Sequence, residues 1–455
     1  MKEVKTQKKR NRWYPWAWST RGFALGVNTM LLMQVTFYAT ESAGLSAGLV
    51  GTLLLVSRIF DGVTDLIAGF IIDKTHTKLG KARPYELFLI PTWILTVLLF
   101  STPASMGTTG KAIYFFVLYV LINAVCVTFL SSSEAVFLAR STTDEGLRAK
   151  ALTVAGIMAT LFPTAVSIVL PILMASWGTQ PGGWTKIMLV FGVPFTIIGL
   201  IRFFCIKEIE TAEDDTQKNI STISFKDSIK SISHNKYLFI LAAAALLCSV
   251  YNSLGSGVGS YYFQYIVGDL ASMSLIGMLG ILTPFVLLLF PLAVRKIGGM
   301  NFVRIGLVTA IIGNIIKYFA GANVTMILAG SLIAGIPGAS ALMMIGSIFV
   351  IQCMDYGEWK TGVRVEGMVN SVYGFATKVG GGLASGLLGL LMAVSGFIGG
   401  AGQQTASAKM AISWSYSLIP AILCVIMLVI LHFYKLEKET GKIQAELEER
   451  RNHNA

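Results

Sequence analysis

Long apolar runs, broken by short polar stretches, recur along the whole chain. Each has about the 17–25 residues that a helix needs to cross a hydrocarbon core roughly 30 Å thick. They lie near residues 22–40, 46–72, 85–103, 112–139, 151–175, 185–206, 237–267, 273–294, 303–320, 324–353, 367–396 and 410–434. Only helices suit such runs, because in lipid the backbone must satisfy its own hydrogen bonds. A barrel would show short alternating segments instead, and the chain has none. The pattern predicts an all-α polytopic membrane protein with 12 transmembrane helices.

The longest polar interruption, "KEIETAEDDTQKNISTISFKDSIKSISHNK", separates six runs from six. Its first part is acidic and polar, the composition of a flexible linker. "FKDSIKSI" has the pattern of a short amphipathic helix on a membrane surface. The expected organisation is an N-terminal segment (1–21), a six-helix bundle (22–206), a central loop (207–236), a second six-helix bundle (237–434) and a tail (435–455). An internal echo suggests that the halves are related: "TDEGLRAK" follows the fourth run and "MDYGEWKTGVR" the tenth. Such repeats characterise secondary transporters, whose binding site lies near the membrane midplane.

Composition agrees with this pattern. The chain has 455 residues, 54% of them hydrophobic and 13% charged, where soluble domains carry about 25% charged residues. The net charge of +12 does not signal nucleic acid. Most lysines and arginines fall in the N-terminal tail, the even-to-odd loops and the C-terminal tail. Lys111, Lys186, Lys317 and Lys409 lie at the opposite ends, and Arg58 and Lys378 fall inside runs. This is the positive-inside asymmetry. It places both termini in the cytoplasm, the N-terminal "KEVKTQKKRNRW" reading as a retained anchor without the features of a cleaved signal. The five cysteines, Cys126, Cys205, Cys248, Cys353 and Cys424, all sit in apolar runs without CxxC spacing. They are expected in packing, not in disulfides or metal binding.

The stretch "SRIFDGVTDLIAGFIIDKTHTKLGKARP" (57–84) carries two acids inside an apolar run. Asp61 and Asp65 are spaced i, i+4 and share a helix face. A charge at the centre of a membrane helix costs about 2.5–3.5 kcal/mol on insertion scales, and such residues are functional by default. Neighbouring carboxylates resist joint ionisation; a cation between them relieves the repulsion. Thr64 adds a hydroxyl. Arg58 either forms a structural ion pair or balances the acids when no cation is bound. Lys378 is the second intramembrane charge, about 17 Å from the cytoplasmic edge at 1.5 Å per residue. Asp61 reaches the same depth, which disfavours a snorkelling lysine and suggests a charge relation across the halves. The following "VGGGLASG" permits close helix approach.

The same stretch resembles the signature of the glycoside–pentoside–hexuronide:cation symporters, the melibiose permease-like branch of the major facilitator superfamily. "GLSAGLVGTLLLV" before it, "YYFQYIVGD" and "DYGEWKTGVRVEG" fit the same family, so the resemblance covers nearly the whole chain. It implies the pseudo-symmetric 6+6 major-facilitator fold and symport by alternating access. Residues matching Asp61, Asp65 and Thr64 help form the family's cation site, and a threonine of the fourth helix, matched here by Thr128, is implied as a further ligand. The coupling cation is Na+ or H+.

Asn28, Gln34, Tyr261, Gln264, Asn370 and Tyr373 are candidate substrate contacts, each also readable as helix packing. Asp73, Arg83, Asp355 and Arg364 are candidates for the cytoplasmic gate. The family's sugar carriers use carboxylates on the first and fourth helices and an arginine on the fifth; the matching positions here are Leu25, Ser131 and Gly156, none charged. The expected substrate is a sugar or glycoside. The alternatives are a less hydroxylated, aromatic or steroid-like compound, or cation-driven exchange or efflux. An aspartyl intramembrane protease would place its acids on two helices, and a channel does not need a central site between two halves. The expected protein is therefore a monomeric transporter, not an enzyme, of a bacterial inner or plasma membrane. Its partners are a small-molecule substrate, a cation and lipid.

Overall fold

The computed structural model describes residues 2–209, 232–335 and 341–454. Most of the central loop, with "FKDSIKSI", lies outside them. Among the described residues the chain is helical, with no β-strand. In order the helices are α1 (Lys2–Leu32), α2 (Val35–Glu41), α3 (Ala47–Lys74), α4 (Leu89–Leu99), α5 (Thr108–Val120), α6 (Thr128–Ser141), α7 (Glu145–Trp177), α8 (Gly183–Cys205), α9 (Lys236–Tyr262), α10 (Met273–Leu279), α11 (Thr283–Ile297), α12 (Gly299–Ala320), α13 (Val324–Gly335), α14 (Ala341–Thr361), α15 (Glu366–Val394), α16 (Ala406–Ser413), α17 (Ile419–His432) and α18 (Thr440–Asn454). Among the described residues, 8 helical segments are long and apolar enough to cross a membrane, and Leu270–Leu282 and Val324–Gly335 are shorter apolar helices. The other apolar runs fall on α3, α4, α10–α11 and α13–α14.

Several runs are not one regular helix. α5 passes into α6 through a π-helical turn, Leu121–Val127. Similar turns, Phe263–Val267 and Trp414–Leu418, follow α9 and precede α17. A π turn leaves carbonyls out of the ordinary i to i−4 ladder and is frequent at functional sites.

The chain forms two compact units. The first comprises residues 1–215, 259–284 and 385–409. Tyr14, Trp18, Phe137 and Leu147 form one of its core clusters. Within it α3 and the end of α15 meet backbone to backbone: a Cβ on Gly51 would lie 2.8 Å from the Ser385 carbonyl, and one on Gly389 would lie 2.5 Å from that of Ala47. Small residues hold this crossing because anything larger would push the helices apart. The second unit comprises residues 216–258, 285–384 and 410–455. Leu241, Cys248, Leu307, Phe349, Cys424 and Met427 are part of its core. A Cβ on Gly380 would lie 2.3 Å from the Leu246 carbonyl, so the glycines after Lys378 do allow close approach.

The sequence echo is not a structural repeat. Asp144 caps α7, its carboxylate accepting from the Leu147 amide at 3.0 Å. Asp355 instead lies inside α14, which continues to Thr361. A true parallel lies elsewhere. Glu208, just after α8, accepts from the amides of Lys81, Ala82 and Arg83 at 2.9, 2.7 and 2.6 Å. Glu437, just after α17, accepts from those of Gly299 and Met300 at 2.7 and 3.0 Å. An arginine of each capped segment then donates back to the preceding helix: Arg83 to the Phe203 carbonyl at 2.8 Å, Arg304 to that of Leu431 at 3.1 Å. Each carboxylate satisfies amides left open where a helix begins.

Candidate cation and substrate site

The centre of the candidate site lies on α3, where one turn separates Asp61 from Asp65. Asp61 is 3% exposed, and Arg58 Nη1 donates to its Oδ2 at 3.0 Å. The other terminal nitrogen of Arg58 donates to the Tyr119 hydroxyl at 3.3 Å. Asp65 has a different partner: the Thr128 hydroxyl donates to its Oδ1 at 3.1 Å. Thr64 directs its hydroxyl to carbonyls of its own helix, Phe60 at 3.1 Å and Asp61 at 3.2 Å. The structure thus brings Asp65 together with Thr128 and Asp61 together with Arg58, and turns Thr64 inward on α3.

Thr128 is the first residue after the π turn, and that turn gives it a second acceptor, the Asn123 carbonyl at 3.2 Å. The Asn123 amide in turn donates to the Tyr119 carbonyl at 3.1 Å. The single Thr128 proton is therefore shared between a carboxylate and a backbone oxygen. If it passes wholly to Asn123, the hydroxyl lone pairs become available beside Asp65. Hard cations take oxygen ligands of this kind, carboxylate, hydroxyl and carbonyl. Sequence reasoning missed Tyr119 and Asn123. The only sequence signal was their polarity inside an apolar run, about 2.5 and 1.4 turns before Thr128 at 3.6 residues per turn.

The other expected residues divide into buried contacts and accessible groups. Asn28 is wholly buried, its amide donating to Thr96 Oγ1 at 2.9 Å. Gln34 Oε1 accepts from Ser260 at 2.5 Å, and the Tyr261 hydroxyl pairs with Thr40 at 2.7 Å. Gln264 and Asn370 are exposed and Tyr373 is half-buried. Tyr373 packs its hydroxyl where a side chain on Gly346 would otherwise be. Lys378 is half-buried in α15. Leu25 is half-buried, and Ser131 and Gly156 are exposed.

Of the gate candidates, the Asp73 side chain lies outside the described residues. Arg83 binds the Phe203 carbonyl and lies over the Phe203 ring, 4.7 Å from its centroid. Arg364, in the loop after α14, donates to Asp355 and Glu358 at 2.8 Å each and to Glu366 at 2.6 Å. Its hydrogen bonds to Glu358, Glu366 and Asp355 hold its pKa above the ordinary value, so it stays charged. α18 docks beside this cluster: Gln444 donates to Asp355 at 3.2 Å, and the Trp359 indole to Glu446 at 2.6 Å.

A second charged cluster was not foreseen. Arg202, with 0% exposure, donates to Glu86 at 3.0 Å and to Glu134 at 2.7 Å. Arg21, 3% exposed, also pairs with Glu134. The Arg202 guanidinium stacks 3.7 Å from the Trp18 ring. Two cations and two anions cancel, as buried charges require. Positive-inside counting treats Arg21 and Arg202 as ordinary helix-edge residues and so conceals them.

Comparison with known proteins settles the class. Residues 18–438 match the sequence model of the family described as MFS/sugar transport protein. The chain belongs to this family. It is 30% identical over 452 residues to the isoprimeverose transporter of Lactiplantibacillus pentosus, covering 96% of this chain and 92% of that protein. It is 31% identical to the uncharacterized symporter YnaJ of Bacillus subtilis (strain 168), over 93% of this chain and 91% of the relative. The fold resembles that of the xylose transporter XylE from E. coli in its inward open conformation, with a TM-score of 0.62 at 13% identity, covering 92% of this chain and 95% of that one. The glycoside–pentoside–hexuronide:cation symporter resemblance therefore holds. The protein is a multi-pass membrane transporter with an alternating-access fold, and not an enzyme.

Proposed function

We propose that the protein is a Na+- or H+-coupled symporter of a sugar or glycoside, and that Asp61, Asp65 and Thr128 hold the coupling cation. The observation that carries this reading is the setting of the two acids on α3: Arg58 donates to Asp61 at 3.0 Å, and the Thr128 hydroxyl, from another helix, donates to Asp65 at 3.1 Å. A sodium ion or a proton arriving there meets negative charge with an oxygen donor beside it. Thr128 then turns its proton to Asn123 and offers lone pairs, while Thr64 is a reserve hydroxyl on the same face. Arg58 supplies positive charge beside Asp61 before the cation arrives, and Lys378 is the further charged residue expected in the coupling network.

The expected twelve crossings, with both termini cytoplasmic and the chain acting as a monomer, complete this reading. So do the expected bundle boundaries at 22–206 and 237–434. The names of the relatives support a carbohydrate substrate: isoprimeverose for one and, for a 26% identical protein of Escherichia coli (strain K12), a glucuronide. With uncharged Leu25, Ser131 and Gly156, hydroxyl recognition falls to neutral groups. Gln264, Asn370 and Tyr373 are the accessible ones; Asn28, Gln34 and Tyr261 already bond protein atoms. Arg83, Asp355 and Arg364 organise helix ends at the side expected to be cytoplasmic, where Asp73 is the further gate candidate. Counterflow of labelled glycosides in proteoliposomes, with sodium and proton gradients imposed in turn, tests the assignment. Stimulation by one gradient supports it; counterflow indifferent to both cations rejects coupling.

A further inference from the structure

The Arg58–Asp61 pair has an unexpected geometry. A guanidinium normally closes on a carboxylate with both arms, in a planar fork stronger and more specific than a single bond. Here Arg58 gives Asp61 only Nη1, at 3.0 Å, and Nη2 goes to the Tyr119 hydroxyl at 3.3 Å. Tyr119 is 5% exposed, and its ring stacks on Phe115 at 6.2 Å between centroids. The phenol is thus held in place by packing. Its backbone carbonyl also receives the Asn123 amide, at the start of the turn that supplies Thr128 with its second acceptor. One residue therefore touches the surroundings of both acids: its hydroxyl reaches the arginine facing Asp61, and its carbonyl anchors the turn beside Asp65.

We propose that Tyr119 is a positioning residue of the coupling site, resting on the cation-site reading above. By holding one arm of Arg58 it keeps the Arg58–Asp61 pair single-armed, and so exchangeable for the coupling cation. Without the hydroxyl, Nη2 swings to Asp61, the fork closes, and the arginine competes with the cation for the carboxylate. The loss is one of cation affinity, not of substrate recognition or of the transport step at saturating cation.

The test is uptake of a transported glycoside by proteoliposomes carrying Tyr119→Phe, titrated with the coupling cation. The expected result is a rise of about fivefold or more in the cation concentration for half-maximal uptake, with the maximal rate and the substrate concentration dependence at saturating cation within about twofold. In an Arg58→Lys background, which has no second arm to close, the same substitution is expected to add nothing. A second variant, Tyr119→Gln, keeps a hydrogen-bond acceptor and is expected to recover part of the affinity. An unchanged cation dependence in Tyr119→Phe, or an equal shift in the Arg58→Lys background, overturns the proposal. Asp61→Asn, measured alongside, separates the two ideas. If it abolishes cation dependence while Tyr119→Phe changes nothing, only the role of Tyr119 fails; if it leaves cation dependence intact, the cation-site reading itself fails.

Discussion

Thr128 donates its hydroxyl proton to Asp65 across 3.1 Å, from a different helix and from the end of a π-helical turn. A hydrogen bond to a charged group is worth about 1.5–3 kcal/mol. If the hydroxyl also serves the cation, Thr128→Ala raises the cation concentration for half-maximal uptake roughly tenfold, since about 1.4 kcal/mol is a factor of ten. Thr128→Ser keeps the hydroxyl and stays near the parent. A titration of uptake against cation checks both; equal behaviour of the two variants removes Thr128 from the site.

Lys378 brings a positive charge into α15, about 18 Å from that helix's first residue, Glu366, at 1.5 Å per residue. Lys378→Ala is expected to alter the cation dependence and the rate of transport together, because an intramembrane charge is functional by default. Parent-like cation dependence in that variant reduces Lys378 to a structural lysine.

The cluster of Arg21, Glu86, Glu134 and Arg202, buried except at the half-exposed Glu134, makes a prediction about stability. Removing one partner of a buried ion pair costs about 3–5 kcal/mol, because the other charge remains buried. Glu86→Gln is expected to lower the unfolding temperature in detergent markedly without shifting the cation dependence of the protein that remains folded. An unfolding temperature equal to the parent's contradicts a structural role for the cluster.

Substrate class has its own readout. In buffer containing the coupling cation, simple glycosides are expected to raise the unfolding temperature, and aromatic or steroid compounds without sugar hydroxyls are not. The reverse pattern rejects the carbohydrate substrate and leaves the cation site untouched.

The fold was legible because lipid imposes one rule on the whole chain: apolar runs of spanning length must be helices. Asp61 and Asp65 stood out for the same reason, as charges in the wrong solvent. Three things were not legible. The π turn before Thr128 has no periodicity of its own, so the acceptor carbonyl of Asn123 could not be foreseen. The Arg202 cluster was hidden because its charges cancel only in three dimensions. The paired caps at Glu208 and Glu437 lie beyond the helices they cap, some 125 and 137 residues away in sequence from Arg83 and Met300. The echo chosen from sequence rested on Asp144 and Asp355, whose structural settings differ because one caps a helix and the other lies inside one.

We infer that the two acids of α3 couple transport to a cation. Gradient-driven uptake in proteoliposomes tests it most directly, comparing the parent with Asp61→Cys and Asp65→Cys at matched amounts of folded, inserted protein. The parent is expected to accumulate a glycoside against its gradient when a sodium or proton gradient is imposed, and neither variant is expected to accumulate it. Uphill uptake by both variants at the parent's level contradicts the account.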